Sequence, residues 1–301
     1  MSIIQQAHQQ GQGQVSLAAL CDHQGLSRQA YYQQRQREAA QQAEDDKILC
    51  LVHMIRQRHP RMGTRKLLVK LGPFLEREGL QIGRDGLFAL LREHDLLIAA
   101  QRRGHRTTWA GRRRAPNRLA GQTFTRPDAA WVADITYLDL AAGGFAYLFL
   151  LMDLYSRYLI GWSLAPTLAG EHALQALQQG LHQTTQPVQG TIHHSDHGAQ
   201  YSSQAYWDCL STHGLQPSMG EVGNAYDNAY AERVVGTLKR EYALDSVFRT
   251  EHDLQQAVAQ AIHLYNTDRP HLALDYVTPQ AVYQGGVTAK AVFVVPVETL
   301  P

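Results

Sequence analysis

The sequence predicts a mixed α/β domain, a sheet with helices laid over it, preceded by all-α units. Three observations predict this. Apolar residues recur at helical spacing up to about Ile98, strand-like runs begin at Trp131, and strands then alternate with helices to the end of the domain. Length and composition agree: 301 residues with 44% apolar content can build two or three cored units.

The elements follow in order. Val15, Leu17 and Leu20 share one face of a short helix, Gly25 breaks it, and Ser27 is placed to cap a second. This is the pattern of a helix-turn-helix whose second helix presents Arg28, Gln29, Tyr32 and Arg35, side chains able to reach base edges and phosphates. A second helical unit is predicted from helices near 47–58, 64–78 and 84–94. Arg56, Arg58, Arg61, Arg65, Lys66, Lys70 and Arg84 form its expected basic, DNA-facing surface. Strands are predicted at 131–140, 145–154 and 158–165, the first two joined as a hairpin by Gly143-Gly144. A helix near 171–183, a strand near 190–195, a helix near 203–213, a strand near 216–219 and helices at about 228–244 and 251–265 complete the domain.

Charge is distributed unevenly. The chain holds 28 Lys and Arg against 27 Asp and Glu, yet residues 1–130 carry 21 of the cations and 11 of the anions, a balance of +10, and the remainder carries −9. Between Arg102 and Arg118 stand Arg102, Arg103, Arg106, Arg112, Arg113, Arg114 and Arg118 with no acid among them. A run of forked guanidinium groups repels itself until a polyanion neutralises it, which points to nucleic-acid phosphates.

Other classes are excluded. The longest apolar run, Phe145 to Met152, ends at Asp153 and is far short of the ~20 residues of a membrane-spanning helix. The start is Gln-rich with no basic-then-apolar leader, so a cytoplasmic, nucleoid-associated location is expected. Cys21, Cys50 and Cys209 are too scattered for a disulfide framework or a zinc finger and read as buried thiols.

Three carboxylates draw attention. Asp134 lies inside an apolar strand, where a charge demands a partner. Asp196 follows a strand in His193-His-Ser-Asp-His-Gly-Ala-Gln-Tyr201, at the carboxyl end where α/β sites gather, with Gly198 giving the chain room to turn. Glu232 lies on a helix beside a predicted buried stripe of Ala231, Val235, Leu238 and Tyr242, in line with Gly236 and Lys239, which puts it at the border of core and solvent. Three such acids brought together repel one another, and Mg²⁺ is the economical remedy; a pair of ions would serve in-line phosphoryl transfer without an organic cofactor. Asp139 and Asp153 read as structural, the latter with Arg157 as its partner. His193, His194 and His197 lack the complement of a zinc site.

These residues resemble the orfB-type insertion-sequence transposases of the DDE, retroviral-integrase-like superfamily. The matching segments are Trp131-Val-Ala-Asp-Ile-Thr-Tyr137, Met152-Asp-Leu-Tyr-Ser-Arg157, Ile160-Gly-Trp162, His194-Ser-Asp-His-Gly-Ala-Gln-Tyr201, Gly223-Asn-Ala-Tyr-Asp-Asn-Ala-Tyr-Ala-Glu232, Thr237-Leu-Lys-Arg-Glu241 and Tyr265-Asn-Thr-Asp-Arg-Pro-His271 with Thr278-Pro279. Asp196 and Glu232 are separated by 35 residues, the spacing of that family. His197 and Ala199 depart from its usual residues without touching the acids.

The resemblance implies a ribonuclease-H-like (integrase core) mixed sheet with Asp134, Asp196 and Glu232 as ligands of two Mg²⁺ ions, for which Mn²⁺ can substitute. It implies that Lys239 contacts DNA and that His194, Gly198, Asn224, Asp227 and Asn228 shape the active-site loops. The implied reaction is cleavage at terminal inverted repeats followed by 3′-hydroxyl attack on target DNA, by a homodimer or higher oligomer, with an upstream helix-turn-helix product as a further partner in many relatives. The corresponding division is a helix-turn-helix over 1–45, a second helical domain over 46–100, an Arg-rich linker over 101–125, the catalytic core over 126–285 and a tail over 286–301. The alternatives are a non-catalytic DNA-binding regulator or domesticated integrase-core protein, and a simple nuclease.

Overall fold

The computed structural model describes residues 17–23, 25–98, 113–184, 186–220, 229–290 and 292–294. Helix α1 (Leu17–His23) ends at Gly25, whose φ of +67° turns the chain, and α2 (Arg28–Arg58) starts at Ser27, whose hydroxyl accepts from the Ala30 N–H at 3.1 Å. Cys21 and Tyr31 form the small core between them.

Sequence reading expects a separate helix near 47–58, with a unit boundary between residues 45 and 46. That position instead lies inside the uninterrupted 31-residue α2. Neither Gly nor Pro occurs within it, and Gln34–Glu38, Gln41–Asp45 and Gln42–Asp46 hydrogen bonds, each four residues apart, support its exposed middle. Its last turns pack Ile48 and Val52 against Leu67 and Leu71 of α3 (Thr64–Glu78) and Leu87 and Leu91 of α4 (Arg84–Glu93).

Beyond the helical units come β1 (Thr123–Phe124), β2 (Ala130–Asp139), β3 (Phe145–Asp153), β4 (Leu159–Ala165), α5 (Gly170–Gln183), β5 (Ile192–Ser195), α6 (Gln204–Thr212), β6 (Gln216–Met219), α7 (Ala229–Glu241), α8 (Glu251–Thr267), α9 (Pro279–Tyr283) and β7 (Val292–Phe293). Five strands form a sheet ordered β4-β3-β2-β5-β6. The first three are antiparallel, with the expected hairpin closing Asp139 against Phe145 through Gly143 and Gly144. β5 and β6 run parallel to β2, which is the ribonuclease-H-like arrangement.

Alternation along β2 assigns its faces. Ala130, Val132 and Leu138 pack with α7 and α8, whereas Trp131 and Ala133 pack with α5 and α6, so helices cover both sides. The pair β1–β7 is too short to leave a periodic signal. It joins the end of the predicted linker to the predicted tail, and burial of Leu119 and Phe124 fastens this stretch to the core. Of the cysteines, only Cys21 is buried; Cys50 faces out from α2 and Cys209 is half-buried, which corrects the expectation for both.

Candidate active site

Parallel pairing of β2 with β5 sets Val132 opposite His194. Two residues further along stand Asp134, inside β2, and Asp196, the first residue beyond β5, so both acids lie just past the point where the parallel pairing of β2 with β5 ends. Both are half-buried. Burial first, then the charge of Asp196, followed by Tyr206 and Asp134, pushes the ionisation of the nearby Tyr201 hydroxyl well above the ordinary tyrosine range. That hydroxyl is itself buried without a hydrogen-bond partner.

The turn after β5 is held by the Gly198 N–H donating to Asp196 Oδ1 at 2.9 Å. Gly198 has ordinary backbone angles, so close approach and not turning freedom explains the glycine: an added Cβ would lie 2.9 Å from that same oxygen. His194 is fully buried and its Nδ1 meets the Ser218 hydroxyl at 2.8 Å, tying β5 to β6. His197 Nε2 lies 2.5 Å from the Gly220 carbonyl.

Helix α7 packs on β2 through Ala231, Val234 and Leu238. Val234 replaces the expected Val235 in the buried stripe, and this rotation of about 30° turns Glu232 to an exposed flank instead of the core border. Among the described residues, no three His, Cys, Asp or Glu side chains converge as a metal-binding group. Asp134 and Asp196 are brought together, and Glu232 is not gathered with them. Lys239, half-buried on α7, sets its ammonium 4.5 Å from the centre of the Tyr137 ring. Burial lowers its pKa against the opposing charges of Asp139, Asp245 and Asp134.

Asp153 is structural. Asp153 is fully buried and accepts from the N–H groups of Asp128 at 2.8 Å and Ser156 at 2.7 Å. Backbone amides therefore hold it, in place of the expected ion pair with Arg157, whose guanidinium stacks 4.4 Å from the centre of the Tyr230 ring. Desolvation raises Asp153 to about 7. Asp128 in turn accepts from Trp131 Nε1 at 2.9 Å and from the Tyr283 hydroxyl at 3.0 Å. Sequence reading missed this network; the only local signal was an acid four residues before strand-forming Val132.

Of the expected DNA contacts, Arg28, Arg35, Arg65, Arg114 and Arg118 are exposed. Arg113 hydrogen-bonds Gln204 and lies 5.1 Å from the Trp207 ring centre, and Arg118 Nε donates to the Pro217 carbonyl at 3.2 Å, so this end of the arginine run passes from α6 to β6. Arg102, Arg103, Arg106, Arg112, Asn224, Asp227 and Asn228 lie outside the described residues. The expected basic surface of the second unit is partly consumed: Arg58, Arg61, Lys66 and Lys70 pair with Asp268, Asp245 and Glu241.

Integrase core domain models match residues 125–225 and 213–279. The uncharacterized 31 kDa protein of insertion element IS600 from Shigella sonnei is 34% identical over 274 residues, covering 87% of this chain and 96% of its own. The transposase of IS629 from Shigella sonnei is 30% identical over 265 residues, covering 85% and 87%. Among solved structures, the HTLV-2 integrase catalytic core domain in complex with magnesium aligns at 17% identity with a TM-score of 0.42, over 53% of this chain and 99% of that one. With relatives matched over most of both lengths and the integrase core located on the sheet that carries Asp134 and Asp196, the chain belongs to the orfB-type insertion-sequence transposases of the integrase superfamily, enzymes of polynucleotidyl transfer on DNA.

Proposed function

We propose that this transposase cleaves the terminal inverted repeats of its element and joins the freed 3′-hydroxyl to target DNA at a site made of Asp134, Asp196 and Glu232. The observation that supports this reading is the parallel pairing of β2 with β5, which ends just before Asp134 and Asp196, on a sheet whose strand β2 packs against α7. Two carboxylates so placed repel each other unless a cation joins them. Their hard oxygen donors fit a divalent cation, and an orphaned hydroxyl at Tyr201 marks a polar site with an unfilled partner.

Asp134, Asp196 and Glu232 would hold two Mg²⁺ ions, with Mn²⁺ able to substitute. When bound, such ions lower the pKa of an attacking oxygen and neutralise charge on the phosphate. The chain's own groups supply the rest. The Gly198 N–H fixes the Asp196 carboxylate, Lys239 offers a cation to a phosphate near Asp134, and the Tyr137 ring holds Lys239 against β2. Glu232 stands two turns up α7 from Lys239 on the same helix.

Arg28, Arg35 and Arg65 on the helices before the core, with the run from Arg102 to Arg118, would grip double-stranded DNA, and these helices would read the repeats. A homodimer or larger assembly follows from the need to hold two ends. An upstream helix-turn-helix product as a partner and a nucleoid location in the cytoplasm complete the reading. No helix among the described residues is long and apolar enough to cross a membrane.

One observation favours a non-catalytic DNA-binding protein instead: the exposed Glu232 is not gathered with the two aspartates. Labelled DNA carrying the element's ends, incubated with Mg²⁺ or Mn²⁺ and resolved on a denaturing gel, decides between them. Metal-dependent nicking with joined products from wild type, absent in Glu232→Gln, supports the transposase site. Nicks without joining indicate a nuclease, and bound but uncut DNA indicates the binding protein.

A further inference from the structure

The charge asymmetry of the chain has a destination inside the molecule. The segment from Arg58 to Lys70, which joins α2 to α3, lies against the corner where α7 and α8 end. Arg61 donates to both oxygens of Asp245, at 2.8 and 3.2 Å, and its backbone N–H donates to the Glu241 carbonyl at 3.1 Å. Lys66 donates to the Glu241 carboxylate, which also accepts from Arg269 through Nε at 2.8 Å and Nη2 at 3.0 Å. Lys70 and Arg58 meet Asp268, and the buried His59 bridges Asp268 at 2.9 Å and the Tyr242 hydroxyl at 3.2 Å. Every acid in this seam belongs to the catalytic unit, and every cation but Arg269 belongs to the helical unit.

Exposed ion pairs contribute little, but Glu241 is not exposed; only 19% of its side chain is accessible. Burial opposes its ionisation, yet the hydrogen bond and charge of Arg269, followed by those of Lys66, outweigh burial and hold the carboxyl below its ordinary range. Removing one partner from such a cluster strands the others in a partly dry seam. Glu241 is also the last residue of α7. Glu232 lies nine residues up the same helix, about 14 Å at 1.5 Å per residue, and Lys239 lies two residues up. Over that length a helix moves as a rod, so a grip on its end sets its rotation.

We propose that Glu241 is a positioning residue through which the seating of the helical unit sets α7, and with it Glu232 and Lys239. Lys66 and Arg269 hold the Glu241 carboxylate, Arg61 holds its carbonyl and the adjacent Asp245, and the unit that grips DNA is thereby joined mechanically to the helix of the active site. This inference rests on the reading of Glu232 given above.

The full chain tests it with Glu241→Gln and with a charge exchange at the more accessible neighbouring pair: Arg61→Asp, Asp245→Arg and both together, each confirmed as folded by circular dichroism. Two quantities are read, amide hydrogen exchange across Ala229–Glu241 and single-turnover cleavage of the element's end at saturating protein. Glu241→Gln and each single exchange variant should speed exchange in α7 and lower the maximal cleavage rate about tenfold, with DNA affinity within about twofold of wild type. The double variant should recover both. Unchanged exchange in α7, a loss confined to DNA affinity, or a double variant no better than the singles overturns the proposal. Glu232→Gln runs in parallel: if it cleaves like wild type, the reading of Glu232 falls, while the hydrogen-exchange result still decides whether the helical unit holds α7.

Discussion

Lys239 stands with its ammonium 4.5 Å from the centre of the Tyr137 ring and within the field of Asp134, which joins a residue of helix α7 to the strand carrying the first aspartate. A cation shared between an aromatic face and nearby acids is poised to accept a phosphate. Lys239→Gln should weaken binding of a short end duplex about tenfold and reduce the slope of log affinity against log salt by about one. Titration at several salt concentrations checks this, and an unchanged slope removes Lys239 from the path of the DNA.

Gly161 lies where β4 crosses α5, and a Cβ there would sit 2.1 Å from the Ala176 carbonyl oxygen and 2.9 Å from the Gly180 nitrogen. Backbone cannot yield as a side chain can, so Gly161→Ala should cost about 3 kcal/mol or more, read from denaturant midpoints.

Asn266 is buried and completes both backbone groups of Leu159, accepting from its N–H at 2.9 Å and donating to its carbonyl at 3.0 Å. It acts as a one-residue strand partner at the edge of β4. Asn266→Ala should cost roughly 2–4 kcal/mol, because two buried backbone groups lose their partners at once. Thermal and denaturant unfolding check this, and a loss under 1 kcal/mol would mean that water replaces the amide.

His193 is buried against the Tyr206 hydroxyl at 2.8 Å, and desolvation lowers its pKa to about 3; His271 is lowered to about 3 by burial and then by Arg269. Both values lie below the ordinary 6.5, so the unfolded chain binds these protons first. Stability from each is full above pH 6.5 and is lost as pH falls toward 3, at up to about 1.4 kcal/mol per pH unit. Asp153 acts in the opposite sense: raised to about 7 from 3.8, its contribution is present below 3.8 and declines as pH rises through 7. Comparing wild type with His193→Gln by urea unfolding from pH 6.5 to 4 should show a shallower acid loss in the variant. Parallel curves would refute the assignment.

The central strands and most long helices were legible because their information is local. Alternation over β2 and β3, the Gly143-Gly144 turn and the cap at Ser27 each act within a few residues, and they recur in the structure nearly where periodicity puts them. The candidate acids were legible for the same reason, since a carboxylate inside an apolar strand or just past one is conspicuous in a short window. The motif from Tyr265 to His271 was also visible, but its work was not. Asn266 serves a strand more than 100 residues away, and Asp268 and Arg269 serve the seam with the helical unit.

Charge makes the same point more sharply. From the chain alone, the cations from Arg58 to Lys70 read as a surface for phosphates, because a basic run carries no record of where the opposing acids will lie. Folding brings Glu241, Asp245 and Asp268 against four of them across more than 170 positions of sequence. The rotation of α7 was decided in the same way, by packing Val234 and not Val235 onto β2. Local periodicity and residue chemistry suffice to name the elements and the acids. Which cations remain for DNA, and which way Glu232 faces, depend on contacts between segments distant in sequence, whose energies exist only once the core has closed.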